Sequence, residues 1–231
     1  MEKKEIVMIL SCMLVMIVTS CEGVNQFDYM QVVIQWQPAT CSDWYNPNCF
    51  RAPDDRFSIH GVWPSLYNGG QPVCSGRPFD VNQISILQPG ISEIWPNIAT
   101  GDNLWLWRHE WDVHGTCTEA FLFDQTRYFS FAMDTYIENN LLFILGNSQI
   151  TPNGRLYSRD QVYTAIKAKT GKKPAVRCNY NYRDGSVQQL HEITLCYNWN
   201  ATAFVDCPLN ANKCDNNFVW YPWFTTKALS I

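Results

Sequence analysis

Apolar and polar residues alternate along Tyr29–Trp36. Met30, Val32, Ile34 and Trp36 share one face and Gln31, Val33 and Gln35 the other, the period of two of a half-buried β-strand. Residues 41–55, rich in Asn, Pro and Asp, read as loop. Phe57–Val62 reads as a second strand, ending at Pro64, that presents His60 from a rigid element. Asp80 with Gln83 forms a helix cap ahead of Ile84, Ile86 and Leu87, and Pro89-Gly90 interrupts that helix. Leu104–Val113 is predicted helical, and Arg127–Leu145 is one longer helix with apolar residues at helical spacing. Ser158 and Gln161 make a capping box for a helix that ends near Gly171. In the last third, Leu190–Tyr197, Ala203–Cys207 and Phe218–Trp220 read as strands. Strands at both ends with helices between them give an α+β class. The expected architecture is a single domain with a central, mainly antiparallel sheet flanked by helices.

The N-terminus changes the picture of where the chain folds. Lysines at 3 and 4, an apolar run from Ile6 to Thr19 and the small residues after it have the build of a secretory signal peptide, expected over 1–23. The run is too short to span a bilayer comfortably, so residues 24–231 are expected to be soluble, with no membrane partner. Ten cysteines become eight once Cys12 and Cys21 leave, an even number that suggests four disulfides in a secreted chain. Losing Lys3 and Lys4 from 17 basic residues and Glu2, Glu5 and Glu22 from 21 acidic ones leaves 15 and 18. That acidic balance argues against strong binding to long nucleic acid. An enzyme needs only a local site.

Candidate chemistry concentrates in Trp107–Cys117, which holds His109, Glu110 and His114. The pattern is close to the metalloprotease His-Glu-x-x-His, but His109 and His114 are five residues apart, about 140° round a helix, and do not share a face. No metal or other cofactor is therefore expected, and acid/base work is favoured. His60, followed by Gly61 as His114 is by Gly115, supplies a second such segment. Two histidine segments can provide an acid and a base.

Ile59-His60-Gly61-Val62-Trp63-Pro64 and Trp107–Cys117 together resemble the signature blocks of the ribonuclease T2 family, roughly Ile-His-Gly-Leu-Trp-Pro and Trp-x-His-Glu-Trp-x-Lys-His-Gly-Thr-Cys. Departures are Val62 for Leu and Val113 for Lys. The likeness extends to Gln35–Cys41, Trp95-Pro96-Asn97 and Leu190–Cys196, and so spans nearly the whole chain after the leader. The resemblance implies single-stranded RNA as substrate and no action on DNA, which lacks the 2′-hydroxyl. It implies His114 as base, His60 as acid, and His109 with Glu110 holding the phosphate. It also implies the pairs Cys41 with Cys49, Cys74 with Cys117, Cys178 with Cys214 and Cys196 with Cys207. The second of these would hold the two histidine segments in register.

Around the site, Trp63 and Tyr67 are candidate base-stacking residues and Gln35 a candidate base-edge partner. His191, distant in sequence from both blocks, is expected to be structural. Asn200-Ala201-Thr202 is a glycosylation sequon. Several stretches, among them Lys173–Asn179 and Leu190–Ile193, look plant-like. The resemblance then offers a general secreted or vacuolar ribonuclease first. Second is an S-ribonuclease of pistil self-incompatibility, whose partner would be a pollen F-box protein, although S-type enzymes are typically basic. Third is a non-catalytic storage or binding protein on the same fold. A monomer is expected in each case.

Overall fold

The computed structural model describes residues 27–43, 49–182 and 184–223. The expected leader, 1–23, lies outside them. Among the described residues, seven strands form one sheet: β1 (Tyr29–Trp36), β2 (Phe57–Ser65), β3 (Leu156–Ser158), β4 (Ala175–Asn181), β5 (Asp184–Asn198), β6 (Phe204–Val205) and β7 (Asn217–Val219). The 15-residue β5 organises it. One edge of β5 pairs with β1 and, further along, β7; the other pairs with β4 and β6. Every pairing is antiparallel except β5 with β7. The helices are α1 (Gln37–Cys41), α2 (Gln88–Ile94), α3 (Asn103–Val113), α4 (Gln125–Glu138), α5 (Leu141–Asn147) and α6 (Arg159–Thr170). The α+β expectation holds, and the four disulfides join the cysteine pairs that the resemblance implied.

Four local expectations are corrected. β1 is buried on both faces rather than one, because Gln31 and Gln35 find partners in Ser65 and Thr40 instead of water. Asp80 caps a single 3-10 turn, Val81–Ile84, and Pro89 starts α2 instead of breaking a helix; a first-turn proline lacks only an N–H that would have had no helical partner. The run Arg127–Leu145 is two helices, since Asn140 leaves the helical region and its side chain accepts from Phe143 N to cap α5. Two strands were unforeseen: β3, three residues long, and β4, whose charged and polar positions Arg177, Asn179 and Asn181 hide the alternation. The capping box at Ser158 and the left-handed Gly171 after α6 are present as expected.

The sheet has two unlike faces, and the difference positions the site. Met30, Val32, Ile34 and Trp36 face the main core with Ile59, Val62, Ile193 and Leu195. By alternation, Gln31, Gln35, Trp63, Arg177 and Glu192 project from the opposite face. α3 packs its tryptophans into the main core and brings Glu110 to the Trp63 indole. Trp107 and Trp111, four residues apart and therefore on one side of the helix, are buried in the core, and their indole N–H groups donate to the carbonyls of Trp95 and Arg77. Losing either ring would cost about 3–5 kcal/mol. Tyr128 of α4 donates from its hydroxyl to the carbonyls of Val62 and Glu110, at 2.7 and 3.2 Å, and ties β2 to α3.

Candidate active site

His60 reaches the site through a bulge. β2 pairs Gly61 with Val33 but Ile59 with Ile34, so His60 is the extra residue. A bulge re-aims a side chain while leaving the flanking register intact: Ile59 stays in the core and His60 keeps 36% of its side chain exposed. The glycine that follows is required by close approach, since a Cβ on Gly61 would collide with the Glu110 carboxylate and the Trp63 indole nitrogen. Gly115 is required in the same way against the Trp111 ring.

α3 supplies the second group. Asp102 caps it by accepting from Trp105 N, and the helix stops at Val113. His114 is the C-cap, its φ widened to −117° while its N–H still bonds the Glu110 carbonyl, and a 3-10 turn, Gly115–Cys117, leads into the disulfide with Cys74. At this helix end the spacing argument made from a regular helix is overturned. The donor atoms of His109, Glu110 and His114 lie within 4.8 Å of one another, and the two imidazole centroids are 6.3 Å apart. These three are also the side chains that could gather round a divalent ion.

Trp63 joins the two groups. Its ring centroid is 5.1 Å from that of His60 and 5.6 Å from that of His114, and its Nε1–H donates to Glu110 Oε2 at 3.0 Å. The structure therefore brings together His60, Trp63, His109, Glu110 and His114. Tyr67 is elsewhere: it stacks on Tyr29, with ring centroids 5.2 Å apart, at the end of β1 away from Gln35, roughly 20 Å along the strand. Gln35 is buried, and its Oε1 accepts from Thr40. His191, read from sequence as remote, is close by; its Nε2 lies 3.0 Å from Thr40 Oγ1, and it is in electrostatic reach of His60.

Three residues near the histidines were missed. Glu192 Oε1 lies 2.5 Å from His60 Nδ1. Arg177 lies over the Trp63 ring at 5.1 Å, 3.6 Å from Glu192 Oε2, and donates to Gln31 Oε1. Trp105 stacks on His109 with centroids 5.3 Å apart and planes 5° from parallel, its ring 55% exposed. Only Trp105 left a signal, since it precedes His109 by four residues on a predicted helix. The other two meet His60 through strand pairing.

The environments separate the groups electrostatically. Burial pushes His114 down to about 4, and the neighbouring His109 and His60 add to the effect. Burial would also lower His60, but the charge and hydrogen bond of Glu192, with Glu110 behind, outweigh it and raise His60 above its ordinary value. Burial lifts Glu110 to about 7 against the opposing pull of His60 and Trp63. The result is a neutral imidazole, a proton-bearing imidazole and a carboxyl group that shares its proton near neutrality. That set can take up one proton, deliver another and bind an anion.

The ribonuclease T2 family profile matches residues 27–207. Ribonuclease MC of Momordica charantia is 34% identical over 84% of this chain and 100% of its own length. Ribonuclease S-6 of Pyrus pyrifolia is 33% identical over 89% and 93%. The solved structure of ribonuclease MC1 from bitter gourd seeds superposes with a TM-score of 0.77 over 84% of this chain and all of that one. RNase NT, solved with 5′-AMP, superposes at 0.75, with 33% identity over 85% of this chain and 98% of that one. With this profile, these relatives and this fold, the chain belongs to the ribonuclease T2 family as an enzyme of the endoribonuclease type.

Proposed function

We propose that the protein is a secreted or vacuolar endoribonuclease that cleaves single-stranded RNA without a metal ion, through a 2′,3′-cyclic phosphate. One observation carries this reading: His60 and His114 flank one indole in environments that push their protonation in opposite directions. His114, neutral, takes the 2′-hydroxyl proton as the oxygen attacks phosphorus. His60, protonated, gives its proton to the 5′-oxygen as the P–O5′ bond breaks. Hydrolysis of the cyclic ester reverses the two roles and leaves a 3′-phosphate. His109, exposed beside His114, faces the phosphate as a hydrogen-bond donor. Glu110 in its protonated form can donate to a non-bridging oxygen rather than repel it, which is what a carboxyl group raised by burial is suited to do. DNA, lacking the attacking hydroxyl, is inert.

The supporting test is RNA cleavage by purified protein in excess EDTA, repeated with His60→Ala and His114→Ala. Activity should survive the chelator and fall by about a hundredfold or more in each variant, the scale of general acid–base catalysis. Loss with EDTA would return the reaction to an ion held by His109, Glu110 and His114. Near-normal turnover in either folded variant would refute the roles.

Export rests on the leader at 1–23 and fits four disulfides. No helix among the described residues is long and apolar enough to cross a membrane. Relatives include extracellular ribonuclease LE and intracellular ribonuclease LX of Solanum lycopersicum, so fractionation decides between the two destinations. Asn200 lies on the turn between β5 and β6, with Thr202 Oγ1 donating to its Oδ1 at 2.7 Å, and is proposed as the glycosylated residue. The S-type reading draws on the pear relatives; the formal charge of −4 weighs against it. Expression confined to the pistil and capture of a pollen F-box protein would establish it. The protein is proposed to act as a monomer on RNA.

A further inference from the structure

Glu192 is a buried carboxylate, 4% exposed, at the centre of the sheet. It is paired across β1 with Gln35 and across β4 with Arg177. Its two oxygens have different partners: Oε1 lies 2.5 Å from His60 Nδ1, and Oε2 lies 3.6 Å from Arg177. A carboxylate removed from water is costly unless it is paired, so both contacts hold it in one orientation. Arg177 is itself fixed by Gln31 and by the Trp63 ring. We propose that Glu192 is a positioning residue for the acid: by accepting the Nδ1–H of His60 it sets the ring's orientation and tautomer, leaving Nε2 to carry the proton delivered to the leaving oxygen.

The inference rests on the reading of His60 as the acid. An imidazole has two nitrogens, and the hydrogen bond made by one decides which role the other can take. With Nδ1–H committed to Glu192, the protonated ring donates from Nε2 and the neutral ring accepts there. Both halves of the reaction then use one nitrogen without a ring flip. In the first half the Nε2 proton passes to the 5′-oxygen; in the second Nε2 takes a proton from water; Glu192 stays ionised throughout. The groups facing His60 are Glu192 and His191 from β5, Arg177 from β4, Glu110 from α3 and His114 just beyond α3. Burial would raise Glu192, but His60, His191 and Arg177 outweigh it and hold the carboxyl down to about 2, so the anion persists across the mildly acidic range.

The test is Glu192→Gln, measured on a dinucleoside phosphate and on a uridine 3′-(4-nitrophenyl phosphate), whose leaving group needs no proton. With the dinucleoside phosphate, kcat should fall by about a hundredfold, the low end of what general acid catalysis contributes, with KM little changed. The alkaline limb of the pH profile should move to lower pH. With the nitrophenyl ester most of the loss should disappear, and Glu192→Asp should recover part of the rate on the natural substrate. A purely packing role would lower both substrates alike and leave the limb in place, which would overturn the proposal. Nitrogen-15 NMR of His60 in the wild-type protein needs neither activity nor a variant: a neutral Nδ1–H tautomer is expected, and an Nε2–H tautomer would overturn the assignment. A protein that fails to cleave RNA yet shows the Nδ1–H tautomer would sink the functional reading and keep the Glu192 contact.

Discussion

Replacing Glu110 by glutamine should stabilise the fold above neutral pH while changing little in acid. The carboxyl is 2% exposed, and burial raises its pKa from 4.5 to about 7, with Glu192 adding to the rise and His60 and the Trp63 N–H opposing it. A carboxyl whose folded pKa is raised favours the folded state fully below the unfolded value and loses that contribution as pH rises through the folded value. Between 4.5 and about 7, at about 1.36 kcal/mol per pH unit, the loss is about 3 kcal/mol. Glutamine has the shape of the protonated acid, keeps an oxygen for the Trp63 N–H and never ionises. Urea unfolding of both proteins at about pH 5 and about pH 8 isolates the effect. The gap between them should open by about 3 kcal/mol at the higher pH, equivalent to roughly 6–12 °C in Tm for a domain of this size. A gap that is the same at both pH values would show that Glu110 titrates normally, and the reading of it as a protonated phosphate donor would go with it.

kcat/KM should be bell-shaped in pH: the rate falls as pH drops through the value of about 4 that protonates His114, and falls again as pH rises through the raised pKa of His60; an alkaline optimum in initial-rate measurements would contradict both assignments. Removing the Cys74–Cys117 bridge, which closes a 43-residue separation, should cost ~2–5 kcal/mol in urea unfolding. It should also lower kcat, because Cys117 anchors the turn that carries His114. Equal kcat in the folded variant would show that α3 alone holds the histidine. Val113, 45% exposed at the end of α3, stands where the family block has lysine, and the guanidinium that reaches the cluster, Arg177, is committed to Glu192 and Gln31. Val113→Lys should therefore raise kcat more than it lowers KM, by up to about a hundredfold; an unchanged kcat would show that another donor already serves the phosphate.

What the sequence determined by itself were the features that depend on short spacings. The alternation of Tyr29–Trp36, the capping box at Ser158 and the helical run through Trp107 and Trp111 each express a local period or cap, and each became the expected element. The two histidine blocks were legible because their glycines answer to close approach, Gly61 to Glu110 and Trp63, and Gly115 to Trp111. Tertiary structure decided the rest. β1 is doubly buried because partners elsewhere satisfy Gln31 and Gln35. His109 and His114 converge because the helix ends between them, a fact of backbone geometry that residue counting along an ideal helix cannot contain. Tyr67, close to Trp63 in sequence, falls at the wrong end of β1, while Glu192 and Arg177, more than a hundred residues away, arrive beside His60 through antiparallel register. Local order writes its period into the chain; which side chains meet across a sheet is set by strand pairing, and pairing couples residues whose separation in sequence carries no signal.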